Sequence, residues 1–191
     1  QKKPILSRTI CTNIVNYQLP FSVSSFTNED KIEEIFRRIN SFGRQLSNQD
    51  LRQAGALGKF PDLVRVIASQ VRRDSSPSDI LYLDRMKEIS LSNKKLPYGI
   101  DLNSIFWVKQ NIITERNMRI SRDEEVIAYI LVHILLSDKA SPSAKTLDKL
   151  YRYELNDDAN LANKAESQID KLGFENIQKQ FQKTFDEFEL I

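Results

Sequence analysis

Apolar residues recur at three- and four-residue steps along most of this chain, which is the spacing of one face of an α-helix. Residues 61–71 carry such a face, and residues 122–136 are so strongly apolar that we expect them to form the central helix of a core. Towards residue 188 the same spacing produces a phenylalanine stripe, made of Phe174, Ile177, Phe181, Phe185 and Phe188. Two interpretations of the stripe are open: packing on this domain, which we favour, or a surface for a partner.

Only residues 17–25 are typical of a β-strand, because aromatic and β-branched residues are frequent there, and Pro20 favours a position at a sheet edge. A short helix is predicted before it, over residues 7–15. Two later helix starts carry a capping pattern, in which a serine is followed three residues on by an acidic residue: Ser47 with Asp50, and Ser121 with Glu124. The predicted fold class is therefore mainly α (α+β), with little strand.

The chain of 191 residues, 40% hydrophobic and 28% charged, is long enough for one medium domain with a buried core. It has no run of about 18 apolar residues and no signal segment, so we expect no membrane partner and a cytoplasmic location. The five glycines form no phosphate-binding G-x-x-x-x-G-K loop. One cysteine and one histidine, Cys11 and His133, exclude a disulfide within the chain and any site that needs two imidazoles. We predict that both side chains are buried and structural, and we assign no catalytic or metal-binding residue.

Basic residues concentrate between residues 35 and 73, where eight lysines and arginines stand against two aspartates. Arginine-rich stretches can hold phosphates. Solvated helix faces would produce the same pattern, so both interpretations stay open. The candidate DNA contacts in this stretch are Arg52, Lys59, Arg65, Arg72 and Arg73.

Residues 36–55 predict a helix, a short turn and a second helix. Asn40 ends the first helix, Gly43 permits the positive φ of a turn, Leu46 enters the core, and Ser47 caps the second helix. Such a corner places Asn40, Arg44 and free backbone N–H groups on one concave spot that suits an anion. A purely structural helix corner would have much the same sequence.

The same stretch resembles a segment of the GmrSD-type ParB-like family, which carries a D-G-Q-Q-R motif and acts in bacterial defence against phage DNA. Phe36 and Asn40 match the family's F-x-x-x-N, and the spacing from Asn40 through Gly43 to Ser47 matches its N-x-x-G-x-x-L-S. The sequence Asp50-Leu51-Arg52 matches the acidic residue, leucine and arginine that follow in the family. Residues 121–125, before the apolar helix, and residues 147–151 are also similar to the family.

The resemblance implies a ParB-like module that binds and hydrolyses a nucleotide, and a separate His-Asn-His domain that cuts DNA. It implies an NTP as cofactor and does not define a divalent metal. The implied partners are DNA and a nuclease domain or subunit, and homo-oligomerisation stays an open possibility. Phe36 would pack under the site, Asn40 would hydrogen-bond the nucleotide, and arginines would counter the phosphate charge. The nucleotide- or phosphate-binding candidates are Phe36, Arg37, Arg38, Asn40, Gly43 and Arg44.

The chain departs from the family in two respects, because it has no D-G-Q-Q-R motif and too few histidines for a His-Asn-His centre. Its first residue is Gln1, so we expect it to be the part downstream of that motif, and hydrolysis by this chain alone is an open question. Residues 1–58 would be the remnant of the ParB-like module, and residues 59–191 a helical bundle. The expected function is one part of a nucleotide-dependent, DNA-targeting restriction protein. The alternatives are a non-enzymatic helical module that binds DNA or protein, and a scaffold without a ligand.

Overall fold

The computed structural model describes residues 7–21, 23, 46–54, 56–75, 82–92, 98–136, 140–153 and 159–189. The chain divides into two compact units, residues 1–45 and residues 46–191. Residues 46–58, which were predicted to belong to the first domain, lie in the second of these units.

In the first unit, the described residues form one helix, α1 (Arg8–Val15), as predicted. Ser7 caps it by accepting a hydrogen bond from the backbone N–H of Ile10 at 3.3 Å. The strand predicted over residues 17–25 is wrong for residues 17–21 and 23, the part that the structure describes, since these residues are in neither strand nor helix. A strand needs a hydrogen-bonded neighbour. Pro20 has no N–H to donate, and no strand exists in the described ranges to pair with it.

The second unit is helical. Its α-helices are α2 (Asn48–Gln53), α3 (Lys59–Arg72), α4 (Phe106–Lys109), α5 (Glu115–Met118), α6 (Arg122–Leu136), α7 (Ala144–Leu150), α8 (Asn160–Leu172) and α9 (Phe174–Glu189). Two 3₁₀ helices, Leu83–Ile89 and Leu102–Ser104, lie between α3 and α4. Within the described residues, the sheet-like pairing is limited to one isolated parallel bridge between Leu91 and Ile100. The prediction of a mainly helical fold is confirmed.

The core forms where α3 packs against α6, and α3 also packs against α8 and α9. Phe60 and Leu63 of α3, and Ile127 and Leu131 of α6, have no solvent exposure. The prediction that residues 122–136 form the central core helix is therefore confirmed. Full burial of each such side chain contributes about 1.5–3 kcal/mol to stability. The contact between α3 and α6 is therefore a main source of stability for the second unit.

Candidate functional site

The residues predicted to bind nucleotide or phosphate lie outside the described residues. These are Phe36, Arg37, Arg38, Asn40, Gly43 and Arg44. The structure does describe the helix that follows them in sequence, α2, and the side chains that hold this helix in place.

The start of α2 has the capping box that its sequence predicts. The Asp50 backbone N–H donates to Ser47 Oγ at 3.1 Å, and the Ser47 backbone N–H donates to an Asp50 carboxylate oxygen at 3.0 Å. The other carboxylate oxygen of Asp50 accepts a hydrogen bond from the Ser121 hydroxyl at 2.6 Å. Ser121 has a left-handed backbone, with φ 56°, where the chain enters α6. The cap of α2 therefore also joins α2 to the start of α6.

Arg52 is a buried arginine that links three helices, and its residue is only 3% exposed. Its Nε donates to Asp148 Oδ1 at 2.7 Å, one terminal nitrogen to Glu125 Oε1 at 3.4 Å, and the other to the Ala144 carbonyl at 3.5 Å. One guanidinium thus ties α2 to α6 and α7. A cation is tolerated in a protein interior when it is paired and hydrogen-bonded. The two carboxylates supply that pairing here.

A further set of hydrogen bonds joins α2 to the residue that ends α7. The side-chain amide of Gln49 donates to Tyr151 Oη at 2.9 Å, and that of Gln53 does so at 3.5 Å. Tyr151 is 3% exposed and packs edge-on against Phe60, with 5.7 Å between ring centroids. Burial raises the pKa of Tyr151 above its ordinary value. Its hydroxyl therefore stays protonated, and its oxygen accepts from both amides.

We call this group of side chains the polar junction. It consists of Gln49, Asp50, Arg52, Gln53, Ser121, Glu125, Asp148 and Tyr151. It joins three segments that are distant in sequence, and these are the segments for which the resemblance was noted. Sequence reasoning picked out the segments but missed the contacts between them. The available signal was arginines in the first segment, Arg52 among them, and acidic residues in the other two.

A second buried ionic group, the Arg72 cluster, lies between α3 and α6. Arg72 donates to both carboxylate oxygens of Asp123, at 2.6 and 2.8 Å, and to Glu124 Oε1 at 3.0 Å. Asp123 is fully buried and Glu124 is 9% exposed. Burial by itself lowers the pKa of Arg72, but the hydrogen bonds and charge of Asp123 outweigh it and raise that pKa. Burial raises the pKa of Glu124, and the attraction of Arg72 opposes this shift.

Two of the five candidate DNA contacts thus take part in interior ion pairs. Arg52 belongs to the polar junction, and Arg72 bridges two carboxylates between α3 and α6. Arg73, a third candidate, is the C-cap residue of α3 and has a left-handed backbone conformation, with φ 58°. The two interior arginines have a structural role that is sufficient to explain their presence.

The remaining two candidates are paired with acidic side chains at the surface. Lys59 Nζ lies 2.5 Å from Asp170, and Arg65 forms an ion pair with Asp62 one helical turn away. A phosphate would have to compete with these carboxylates for each cation. DNA binding by the basic stretch therefore stays a prediction.

An apolar groove of about 600 Å³ opens between α6 and α9. In its lining, Phe185 meets Phe106 and Trp107 edge-to-face, with centroid distances of 4.9 and 5.1 Å. Ile134 of α6 and Phe188 of α9 also line it. The lining residues are Phe106, Trp107, Ile112, Ile130, Ile134, Leu172, Asn176, Ile177, Gln180, Phe181, Thr184, Phe185 and Phe188, and none of these described residues is charged.

The phenylalanine stripe forms one side of this groove. Ile177 and Phe181 are buried at 6% and 7% exposure, which confirms the favoured interpretation that the stripe packs on this domain. Phe188, however, is 55% exposed, and Ile134 of α6, which also lines the groove, is 47% exposed. The stripe therefore contributes both to the core and to an open apolar surface.

Neither residue that was expected to be a buried structural group is buried. His133 lies on the exposed side of α6, and Cys11 is exposed on α1. The expectation for His133 was wrong because it used the mean apolarity of its helix and ignored its position around the helix axis. In the part of the chain that the structure describes, no three His, Cys, Asp or Glu side chains are grouped so as to hold a metal ion.

Comparison of the chain with family models, with characterised proteins and with solved structures finds no match. Among the described helices, none has both the length and the apolarity needed to span a bilayer.

Proposed function

We propose that this chain is one part of a nucleotide-dependent, DNA-targeting phage-defence protein, to which it contributes the F-x-x-x-N side of a nucleotide or phosphate pocket. Asn40 hydrogen-bonds the nucleotide, and Arg44 or one of Arg37 and Arg38 counters its phosphate charge. Because successive helix residues do not share a face, only one of Arg37 and Arg38 reaches the ligand. A D-G-Q-Q-R motif supplied from outside this chain completes the pocket.

The observation that carries this proposal is the polar junction. Three segments with a resemblance to one family, separated by about 70 to 100 residues, make direct side-chain contacts through Asp50–Ser121, Arg52–Glu125 and Arg52–Asp148. The three segments are therefore neighbours in the fold, as parts of one module would be. In the junction, Asp50 and Arg52 hold α2 in place, and the proposal assigns ligand binding to residues 36–44.

The proposal is tested with the full chain and fluorescent analogues of ATP and GTP, by anisotropy. We expect Asn40→Ala to weaken binding by roughly tenfold or more, since a hydrogen bond to a charged group contributes about 1.5–3 kcal/mol. Asn163→Ala, on α8, is the matched control and should bind as the wild type does. Equal binding by wild type and Asn40→Ala would contradict the role of Asn40. No binding of either analogue, with or without the upstream motif added, would contradict the nucleotide proposal itself.

A second candidate function is non-enzymatic binding of a partner protein, and the apolar groove favours it. An amphipathic helix that lays its apolar face into such a groove needs exposed apolar side chains in the lining of the groove, as Ile134 and Phe188 provide here. Binding of this kind changes little with salt, whereas DNA binding through the basic stretch falls steeply as salt rises. Ile134→Ser with Phe188→Ser should abolish binding of an apolar reporter dye. An unchanged dye signal would count against an accessible groove.

A further inference from the structure

The apolar groove between α6 and α9 gathers exposed apolar side chains in one place. Its large apolar lining residues that are at least 36% exposed are Ile112, Ile130, Ile134, Leu172 and Phe188. A contiguous apolar surface marks an interaction site, whereas single exposed apolar residues are ordinary. The volume of about 600 Å³ lies within the range of roughly 300–1,000 Å³ that is usual for small-molecule sites. The groove therefore has both the surface and the size of a ligand site.

The charge of the lining limits what the groove can hold. None of the described lining residues is charged. A charged ligand group would leave water there without gaining a counter-charge, which is unfavourable. The polar side chains of the lining are Asn176, Gln180 and Thr184, which follow one another at four-residue steps on α9 and are exposed. Amide and hydroxyl groups pair with neutral polar atoms, so this lining suits an uncharged ligand.

One donor in the lining has no acceptor. Trp107 lines the groove and is 3% exposed, and its indole Nε1 is buried without a hydrogen-bond partner among the described residues. Buried indole N–H groups ordinarily find a partner, because an unpaired buried donor is costly. The rings of Phe106 and Phe185, whose centroids lie 5.4 and 5.1 Å from that of the indole, offer at most a weak contact with an aromatic face. A ligand oxygen that accepts from Nε1 removes this cost.

The unpaired donor also distinguishes between two kinds of occupant. A partner helix uses its backbone carbonyls within the helix, and its apolar face carries no acceptor, so it leaves Trp107 Nε1 unpaired. A small molecule can carry a carbonyl oxygen on an aromatic body. Such a body also packs well against Phe106, Trp107 and Phe185, because aromatic rings attract one another in edge-to-face and offset arrangements. These observations favour a small aromatic ligand over a helix.

We propose that the groove between α6 and α9 binds an uncharged aromatic small molecule, whose carbonyl-type oxygen accepts a hydrogen bond from Trp107 Nε1. The rings of the ligand pack on Phe106 and Phe185 and cover Ile134 and Phe188. Since Nε1 is closed to water in this structure, entry of the oxygen needs a rotamer change in the lining, which is common on binding. The proposal names a small molecule as the occupant of the groove and does not depend on the nucleotide pocket.

The test compares two probes of one shape on the full chain: fluorenone, which carries a ketone, and fluorene, which has none. Trp107 is the only tryptophan of the chain, so its indole N–H gives a single signal in a proton–nitrogen NMR spectrum. We expect fluorenone to bind saturably, and about twofold to tenfold more tightly than fluorene, as one neutral hydrogen bond allows. Fluorenone, but not fluorene, should move the indole signal downfield. A carboxylate derivative of fluorenone should bind more weakly than fluorenone itself.

Two variants show whether Trp107 causes the preference. Trp107→Phe removes the N–H and keeps an aromatic ring, so fluorenone and fluorene should bind it equally. Ile134→Ser, the control in the same lining, should weaken both probes by a similar factor and keep the preference. If Trp107→Phe does not fold, the indole signal of the wild type decides.

Three results would overturn the proposal. The first is that neither probe binds saturably up to its solubility limit. The second is equal affinity of the two probes for the wild type with an unmoved indole signal, which would leave the groove to the apolar face of a partner helix. The third is that the carboxylate derivative binds as tightly as fluorenone. None of these results bears on Asn40 or the nucleotide pocket.

Discussion

Replacement of Arg52 by methionine tests whether the polar junction stabilises the fold. Methionine keeps most of the apolar stem of the arginine and removes the charge, so that the loss is mainly electrostatic. Asp148 and Glu125, whose side chains are 27% and 14% exposed, lose their shared cation. Removal of one partner from a buried pair costs about 3–5 kcal/mol, because a buried charge is left without compensation. We expect a loss at the lower end of that range, since Asp148 can still reach water.

The control is Arg65→Met, which breaks a surface pair of the same chemistry. Arg65 and Asp62 are 45% and 53% exposed, so the expected loss is only about 0–1 kcal/mol. Both variants are compared by urea unfolding of the full chain, followed by the fluorescence of Trp107, which is 3% exposed in the second unit. If Arg52→Met costs no more than Arg65→Met, the junction is not a stabilising feature and the argument for a structural Arg52 fails. The next experiment would then be to test whether Arg52→Met loses DNA binding, since Arg52 is one of the candidate DNA contacts.

Leu131→Ala, in the α3–α6 contact, should lower the free energy of unfolding by about 2–5 kcal/mol, because the side chain is fully buried and its loss leaves a cavity. Ile134→Ala, three residues on at 47% exposure, should cost far less in the same urea experiment, and similar losses would show that the contact is not the core. Gly58→Ala should also destabilise the fold, mainly because φ is +138°, a backbone conformation that L side chains rarely adopt, and secondarily because the Glu166 carboxylate, 2.5 Å from the new Cβ atom, would have to move. Gly173→Ala has φ +82° and no atom nearer than 3.7 Å, so only the backbone term applies there and a thermal melt should show the smaller loss; the reverse order would refute this reasoning.

The helices could be predicted because their signals are local. The capping box of Ser47 and Asp50 and the apolar spacing of α6 depend only on residues within one or two helical turns, and both are confirmed. His133 shows the limit of this reasoning. Its helix is the most apolar of the described helices, yet the face that a residue occupies depends on where the neighbouring helices lie.

The polar junction could not be predicted in the same way. Whether Arg52 is solvated or buried depends on Asp148, 96 residues away, and no local pattern encodes that distance. The charge pattern alone favoured phosphate contacts or solvated helix faces for the basic stretch. The structure instead pairs Arg52 and Arg72 with buried or partly buried carboxylates. The candidate residues at 36–44 depend on the predicted helix corner and on the resemblance, and they lie outside the described residues.

The long sequence separations within the polar junction have a consequence for how the protein is made. α2 has six residues, too few for a helix to be stable alone in water, and its side-chain partners reach as far as Tyr151, 102 residues after Gln49. Ribosomes add about 5–20 residues per second. Some 5–20 s therefore pass after the synthesis of α2 before its last partner exists. During that interval Arg52 has no carboxylate partner from α7, and α2 cannot complete its docking until α7 and Tyr151 have been made.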